Sequence, residues 1–166
     1  MDISIVIPLM NESESLTQLH HWIVQSLEKE KYSYEMIFID DGSSDPSWEV
    51  ISSLSHQHKN THGIQFSKNF GKSQALHAGF IRAQGEYVVT MDADLQDSPE
   101  EIPSMIAQLK DNDLDLISGW KKKRYDSLLF KNLPSKLFNW AARKLSGIKL
   151  HVEHYRKFEI DNQALF

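Results

Sequence analysis

The run Tyr87-Val88-Val89-Thr90-Met91-Asp92-Ala93-Asp94-Leu95-Gln96-Asp97 changes character at its midpoint. Tyr87 to Met91 is apolar or β-favouring and reads as a buried strand. Asp92 and Asp94 then stand where that strand ends, with Ala93 between them. Paired carboxylates at a strand mouth suit a hard divalent cation with oxygen ligands, and such a cation is well placed to hold phosphate groups. Asp97 is near enough to complete the shell through water, or to cap the turn before Ser98. A second acidic strand end, Asp40-Asp41-Gly42-Ser43-Ser44-Asp45, repeats the placement after the apolar run Met36 to Ile39. Together the two acidic ends imply a nucleotide diphosphate bound with a metal.

Outward from this stretch, short apolar runs alternate with helical stripes. Ile3 to Ile7 is a strand ended by Pro8, which cannot donate to a ladder. A helix follows with Leu16, Leu19, Ile23 and Leu27 on one face, and Asn11 with Glu14 offers a capping box. Asp45-Pro46 reads as a cap with proline at the first helical position, before a helix that turns Trp48, Ile51 and Leu54 inward. Gly63 to Phe66 is a weaker strand. Ser73 to Ala83 is a helix with Leu76 and Phe80 on one side, ended by Gln84-Gly85. Ser98-Pro99-Glu100-Glu101 starts a helix carrying Ile102, Met105, Ile106 and Leu109. Leu114 to Ser118 reads as a further strand, and Leu129, Leu133, Leu137 and Ala141 stripe a long final helix up to Gly147. This alternation predicts an α/β fold, a Rossmann-like open, mostly parallel sheet with helices on both faces. Ligands bind such sheets at the carboxyl ends of the strands, where both acidic clusters fall. Neither G-x-G-x-x-G nor the P-loop pattern occurs, so a nucleotide must be held through carboxylates and a metal.

At 166 residues the chain has the size of one domain with a real core. Its cysteine count of 0 excludes disulfides and thiolate metal sites. The first residues lack the basic region and the apolar length of a signal peptide. No run approaches the roughly 18 apolar residues of a membrane-spanning helix. Charge is unevenly spread: Met1 to Trp120 holds 7 Lys and Arg against 19 Asp and Glu, whereas Lys121 to Lys149 holds 9 against 1. Such a basic block suits an anionic surface or a phosphate, or is simply a solvated helix face. The 8 histidines show no metal-ligand spacing, and His20, His21, His56 and His58 read as surface residues. No G-x-S-x-G elbow appears.

Several residues at the predicted strand ends have two readings each. Asn11 and Glu12 can reach a base or ribose, or can cap a helix. One of Asp40 and Asp41 is expected to bind ligand, because adjacent acids ending an apolar strand are costly without donors or a cation. Lys68 and Lys72, in Phe66-Ser67-Lys68-Asn69-Phe70-Gly71-Lys72-Ser73, can neutralise a diphosphate as point charges or lie in a solvated loop.

In order, Val6-Ile7-Pro8 with Asn11-Glu12, Asp40 to Asp45, Asn69-Phe70-Gly71-Lys72, and Asp92 to Asp97 with Pro99-Glu100 resemble glycosyltransferase family 2, of GT-A type. Ser118-Gly119-Trp120-Lys121 and Ser135-Lys136-Leu137-Phe138-Asn139 look like its polyprenyl-phosphate branch, the dolichyl- and undecaprenyl-phosphate transferases. The resemblance covers roughly Ile3 to Leu150. It implies inverting transfer of a sugar from a nucleotide-sugar to a polyprenyl phosphate, a soluble glycan acceptor or a binding module without turnover being the alternatives. Pro8, Asn11 and Glu12 would line the nucleotide pocket, and Asp41, with Asp40 as the second candidate, would bind the nucleoside. Lys72 would meet the diphosphate. Asp92, Ala93 and Asp94 would form the D-x-D segment that holds Mg²⁺ or Mn²⁺, and Asp97 would join Asp92 and Asp94 in catalysis. Leu95-Gln96-Asp97 looks more like the users of UDP-sugars than of GDP-mannose.

The resemblance also implies a catalytic domain over residues 1–150 and a peripheral place at the cytoplasmic face of a membrane, any membrane helices lying outside this sequence. No nucleic-acid partner is expected, and a homo-oligomer is left open. Relatives usually carry a D-x-x-C-G-x-K/R segment after a stretch like Ser146 to His151. Here Val152-Glu153-His154-Tyr155-Arg156-Lys157 follows instead, so residues 151–166 are expected to be truncated or interrupted relative to the family. An acceptor phosphate monoester, with a second pKa of about 6, is already mostly anionic near neutral pH and hardly needs a general base. The basic cluster Lys121 to Arg124 could attract such a phosphate at an anionic membrane. Leu128-Leu129-Phe130 could lie on lipid, with Lys131 and Lys136 toward headgroups, or pack in the core.

Overall fold

In the computed structural model, which describes residues 1–119, strand β1 (Ile3–Leu9) is buried at every position. A continuous apolar strand buried on both faces belongs inside a parallel sheet. It pairs in parallel with β2 (Tyr34–Asp40), from Ile3 opposite Tyr34 to Leu9 opposite Asp40. Its other neighbour is the short β4 (Tyr87–Thr90), from Ile3 opposite Tyr87 to Val6 opposite Thr90. β3 (Thr61–Gln65) pairs in parallel with β2, so the order is β3-β2-β1-β4. Between the strands run α1 (Ser13–Glu28), α2 (Ser47–Gln57) and α3 (Lys72–Arg82). A 3-10 turn (Pro99–Glu101) leads into α4 (Ile102–Asn112). The open parallel sheet with helices on both faces is the architecture the alternation predicted.

The core lies on both sides of the sheet. Ile3, Ile5, Ile7, Met36 and Phe38 pack against Leu16, Leu19, Ile23 and Leu27 of α1, Ile51 of α2, and Ile102 and Ile106 of α4. Each such side chain, fully buried, contributes roughly 1.5–3 kcal/mol. Packing rather than intrinsic propensity therefore holds helices as short as α2 and α4. On the opposite face Val6, Ile37 and Ile39 meet Ala75 of α3.

Several local expectations are corrected. Pro8 does not end β1. The Val6 carbonyl accepts from Met91 N–H and the Leu9 carbonyl from Asp41 N–H, so even-numbered residues of β1 face β4 and odd ones face β2. The missing N–H of Pro8 thus falls on the β4 side, beyond the last pair of that ladder, where it costs no bond. Asn11 and Glu14 form no capping box, because Asn11 sits at φ 58° with its side chain turned to another loop. α3 faces the sheet through Ala75 and Gly79, while Phe80 is 49% exposed. His20 is buried, not a surface residue. Leu114 to Ser118 forms no strand, and Leu116 lies exposed.

Met1–Asp113 forms one compact unit, and a second begins at Leu114. The predicted final helix, the basic cluster Lys121 to Arg124 and residues 151–166 lie outside the described residues. No helix among those described is long and apolar enough to cross a membrane.

Candidate functional site

Where β1, β2 and β4 end, a cleft of about 340 Å³ opens. It is lined by the β1 exit (Pro8, Leu9, Met10, Glu12), by Asp41, by Asn69, Gly71, Lys72 and Ala75 around the start of α3, and by Asp92, Ala93 and Asp94. It occupies the carboxyl ends of a parallel sheet, where the strand order moves from β2 to β1 to β4.

The acidic wall is shaped by its own backbone. Met91 N–H donates to the Val6 carbonyl at 3.1 Å, extending the ladder one bond beyond β4 and bringing Asp92 to the lip of the sheet. Asp92 N–H donates to Asp97 Oδ2 at 3.0 Å, and Gln96 N–H donates to Asp94 Oδ1 at 3.1 Å. These bonds close a tight turn in which Leu95 takes φ 60°. Ala93 is buried, whereas Asp94 is exposed. Asp97 is not among the lining residues and acts on the turn that aims Asp92.

The opposite wall shows a division of labour that two adjacent aspartates do not reveal in sequence. Asp40 is the last residue of β2 and is fully buried. Its Oδ1 accepts Ser43 N–H at 2.9 Å, and its buried Oδ2 has no hydrogen-bond partner among the described residues. Asp40 does not line the cleft; Asp41 does. The Asp41 carboxylate receives Phe70 N–H at 2.7 Å on Oδ1 and Gly71 N–H at 2.9 Å on Oδ2. It thereby clamps the loop that starts α3. Gly42, at φ 73°, makes the two loops fit: a Cβ there would stand 2.4 Å from the carbonyl carbon of Lys68.

The clamp sets Lys72 at the first position of α3, with its Nζ 2.5 Å from Asp92 Oδ1. Lys68 has no such role; its ammonium stands 5.2 Å over the Phe70 ring. Pro8 and Glu12 line the cleft, but Asn11 does not. Asn11 Oδ1 instead accepts from Ser44 N–H at 2.8 Å and Asp45 N–H at 3.3 Å. Asp45 caps twice, receiving Ser47 N–H at 3.1 Å and Ser13 N–H at 3.0 Å. Partial burial pushes the Asp45 carboxyl upward, but donation from Ser47 and Ser13 outweighs it and brings the pKa to about 2. Asp45 thus caps α2 locally, as its place before Pro46 predicted, and caps the start of α1 across the chain.

The donor set fits a hard divalent cation that keeps waters and substrate oxygens. Asp92 already holds a cationic group in Lys72, Asp94 is exposed beside it, and both offer only carboxylate oxygen. Among the described residues no three His, Cys, Asp or Glu converge as a complete metal cage. Sequence reasoning missed the walls of the cleft. Leu9, Met10 and Ala75 carry no chemical signature, whereas Asn69 and Gly71 fall in a stretch the family resemblance had marked.

Several known proteins are similar to this chain. A dodecaprenyl-phosphate galacturonate synthase of Rhizobium johnstonii is 33% identical over 91% of this chain and 45% of its own length. An undecaprenyl-phosphate 4-deoxy-4-formamido-L-arabinose transferase of Proteus mirabilis is 38% identical over 96% of this chain and 50% of its own. The chain thus spans about half the length of the curated relatives it matches. Among solved structures, S. aureus TarS 1–349 in complex with UDP matches with TM-score 0.56 at 21% identity, over 79% of this chain and 40% of that one. Mannosyltransferase PcManGT from Pyrobaculum calidifontis, in complex with GDP-Man and Mn²⁺, matches with TM-score 0.53 at 20% identity, over 64% and 32%. At such identities the likeness concerns the fold, which is GT-A-like. The model of glycosyl transferase family 2 matches residues 4–164, and the motifs that face the cleft lie within that span. The chain belongs to glycosyl transferase family 2.

Proposed function

We propose that this chain is the donor-binding part of a metal-dependent, inverting glycosyltransferase that moves a sugar from a nucleotide-sugar to a polyprenyl phosphate at a membrane surface. One observation carries the reading: Asp41, Lys72, Asp92 and Asp94 line one cleft at the strand ends. The names of the relatives support a polyprenyl-phosphate acceptor. The Leu95-Gln96-Asp97 continuation favours a UDP-sugar.

In this reading Pro8, Glu12 and Asp41 border the nucleoside, and Lys72 faces the diphosphate. Asp92 and Asp94 would hold Mg²⁺ or Mn²⁺, which when bound neutralises charge growing on the departing diphosphate. Asp97 keeps the Asp92 backbone in place, so its part in the reaction is positional. The acceptor phosphate brings its own negative charge, and the protein's task is in-line positioning. The basic stretch Lys121 to Arg124 is suited to drawing that anionic acceptor to the cytoplasmic face of the membrane.

Thermal melting with nucleotide and Mn²⁺ tests the reading. A ligand at 100 times its Kd stabilises by about 2.7 kcal/mol, which is roughly 5–10 °C for a chain of this size. UDP with Mn²⁺ should raise the melting temperature by that amount, and Asp94→Ala should abolish the rise. No rise with saturating UDP or GDP plus Mn²⁺ overturns the proposal.

A further inference from the structure

Lys72 and Asp92 meet at 2.5 Å while both remain partly in water, with side chains 61% and 40% exposed. This contact is not a structural ion pair of the buried kind. It sits on the wall of the cleft, and the space before Gly71, the residue preceding Lys72, is open: a Cβ there would touch nothing within 4 Å. The lysine stem starts at the first position of α3, whose position is set by the two amide bonds to Asp41. The exposed four-carbon stem lets the ammonium swing away from Asp92 without disturbing the helix. Asp92 and Asp94 are two acids one residue apart, and Lys72 neutralises part of their charge.

We propose that Lys72 is a resident counter-cation for Asp92, displaced by the divalent ion and transferred to the diphosphate, so that metal and nucleotide bind as a coupled pair. The inference rests on reading the cleft as a nucleotide-diphosphate site. Without nucleotide, a cation that takes Asp92 must break the Lys72 contact and leave two positive groups close together. With nucleotide, the released ammonium gains phosphate oxygens. Each ligand therefore strengthens the other, and by linkage the enhancement is the same in both directions. Lys72 is here a specificity device: it keeps the acidic pair from holding a cation when no donor is present.

Mn²⁺ binding by the intact protein, read from the free-ion electron paramagnetic resonance signal with and without UDP or GDP, tests this without any turnover. Lys72→Met keeps the length of the side chain and removes its charge. An exposed ion pair is worth up to about 1 kcal/mol, so Mn²⁺ alone should bind Lys72→Met up to about fivefold tighter than the unchanged protein. The enhancement of Mn²⁺ affinity by nucleotide should shrink by a similar factor, and Lys72→Arg should restore it. Should Lys72→Met bind Mn²⁺ alone no more tightly, while the unchanged protein binds Mn²⁺ with nucleotide, the inference falls and the proposed function stands. Failure of the unchanged protein to bind Mn²⁺ even with saturating UDP or GDP overturns both.

Discussion

Asp40 and Asp41 are identical in chemistry and adjacent in sequence, yet they do different work. Successive residues at a strand end point to opposite sides. Asp40 turns inward and holds the Ser43 amide, and Asp41 reaches the cleft and holds the amides of Phe70 and Gly71. The residue pattern alone led to the expectation that one of the pair binds ligand; only the family resemblance put Asp41 first. Asp41→Asn offers one acceptor oxygen where the loop presents two donors, and sets its own N–H₂ against one of them. Leaving an amide unsatisfied costs about 1–3 kcal/mol. Urea unfolding should show a loss of that size, together with weaker nucleotide binding. Unchanged stability would mean that Asp41 is not the clamp. Asn11 illustrates the same limit: its position suggested a ligand contact or a cap, and only the left-handed backbone at φ 58° turns its amide to the Asp45 loop.

At the scale of elements, helix periodicity located every helix among the described residues but did not assign the face of α3 that meets the sheet. Leu76 and Phe80 share one side of the helix, yet Phe80 is exposed. Space decided the face, because α3 lies so near the sheet that a Cβ on Gly79 would stand 2.3 Å from Val6 Cγ1. Small residues permit that approach; Leu76, like Ile64 and Phe66, is only partly buried at the edge of the cluster of Val6, Ile37, Ile39 and Ala75. Gly79→Val should therefore destabilise by about 1–3 kcal/mol through overpacking, lowering the melting temperature by several degrees. Because Lys72 begins the same helix, the variant should also weaken nucleotide binding. A melting temperature equal to that of the unchanged protein would refute the close packing. The expected strand at Leu114 to Ser118 is absent: among the described residues that segment joins no sheet.

Across the whole molecule, burial couples distant elements to pH. His20 of α1 lies between α1 and β3, its Nε2 3.0 Å from Thr61 Oγ1 and its ring 4.4 Å from that of His58. Desolvation, with smaller repulsion from His58 and His21, lowers its pKa from 6.5 to about 4. Between these values the unfolded chain holds a proton that the folded chain does not, so stability falls as pH drops from 6.5 to about 4. Asp45 acts in a separate, lower window, its contribution being lost as pH falls from 3.8 toward about 2. Melting temperatures measured from pH 7 to 4 should decline, and His20→Gln, which keeps a polar tip near Thr61, should decline less. Identical slopes would exclude His20 as the source. The sequence by itself determined the parallel α/β sheet, the acidic strand ends and the family, because these depend on period, order and residue type along the chain. Tertiary structure alone decided that Asp40 turns away from the cleft, which lysine meets Asp92, which histidine is buried and which loop caps α1. Those outcomes depend on direction and distance between segments remote in sequence, which no local pattern encodes.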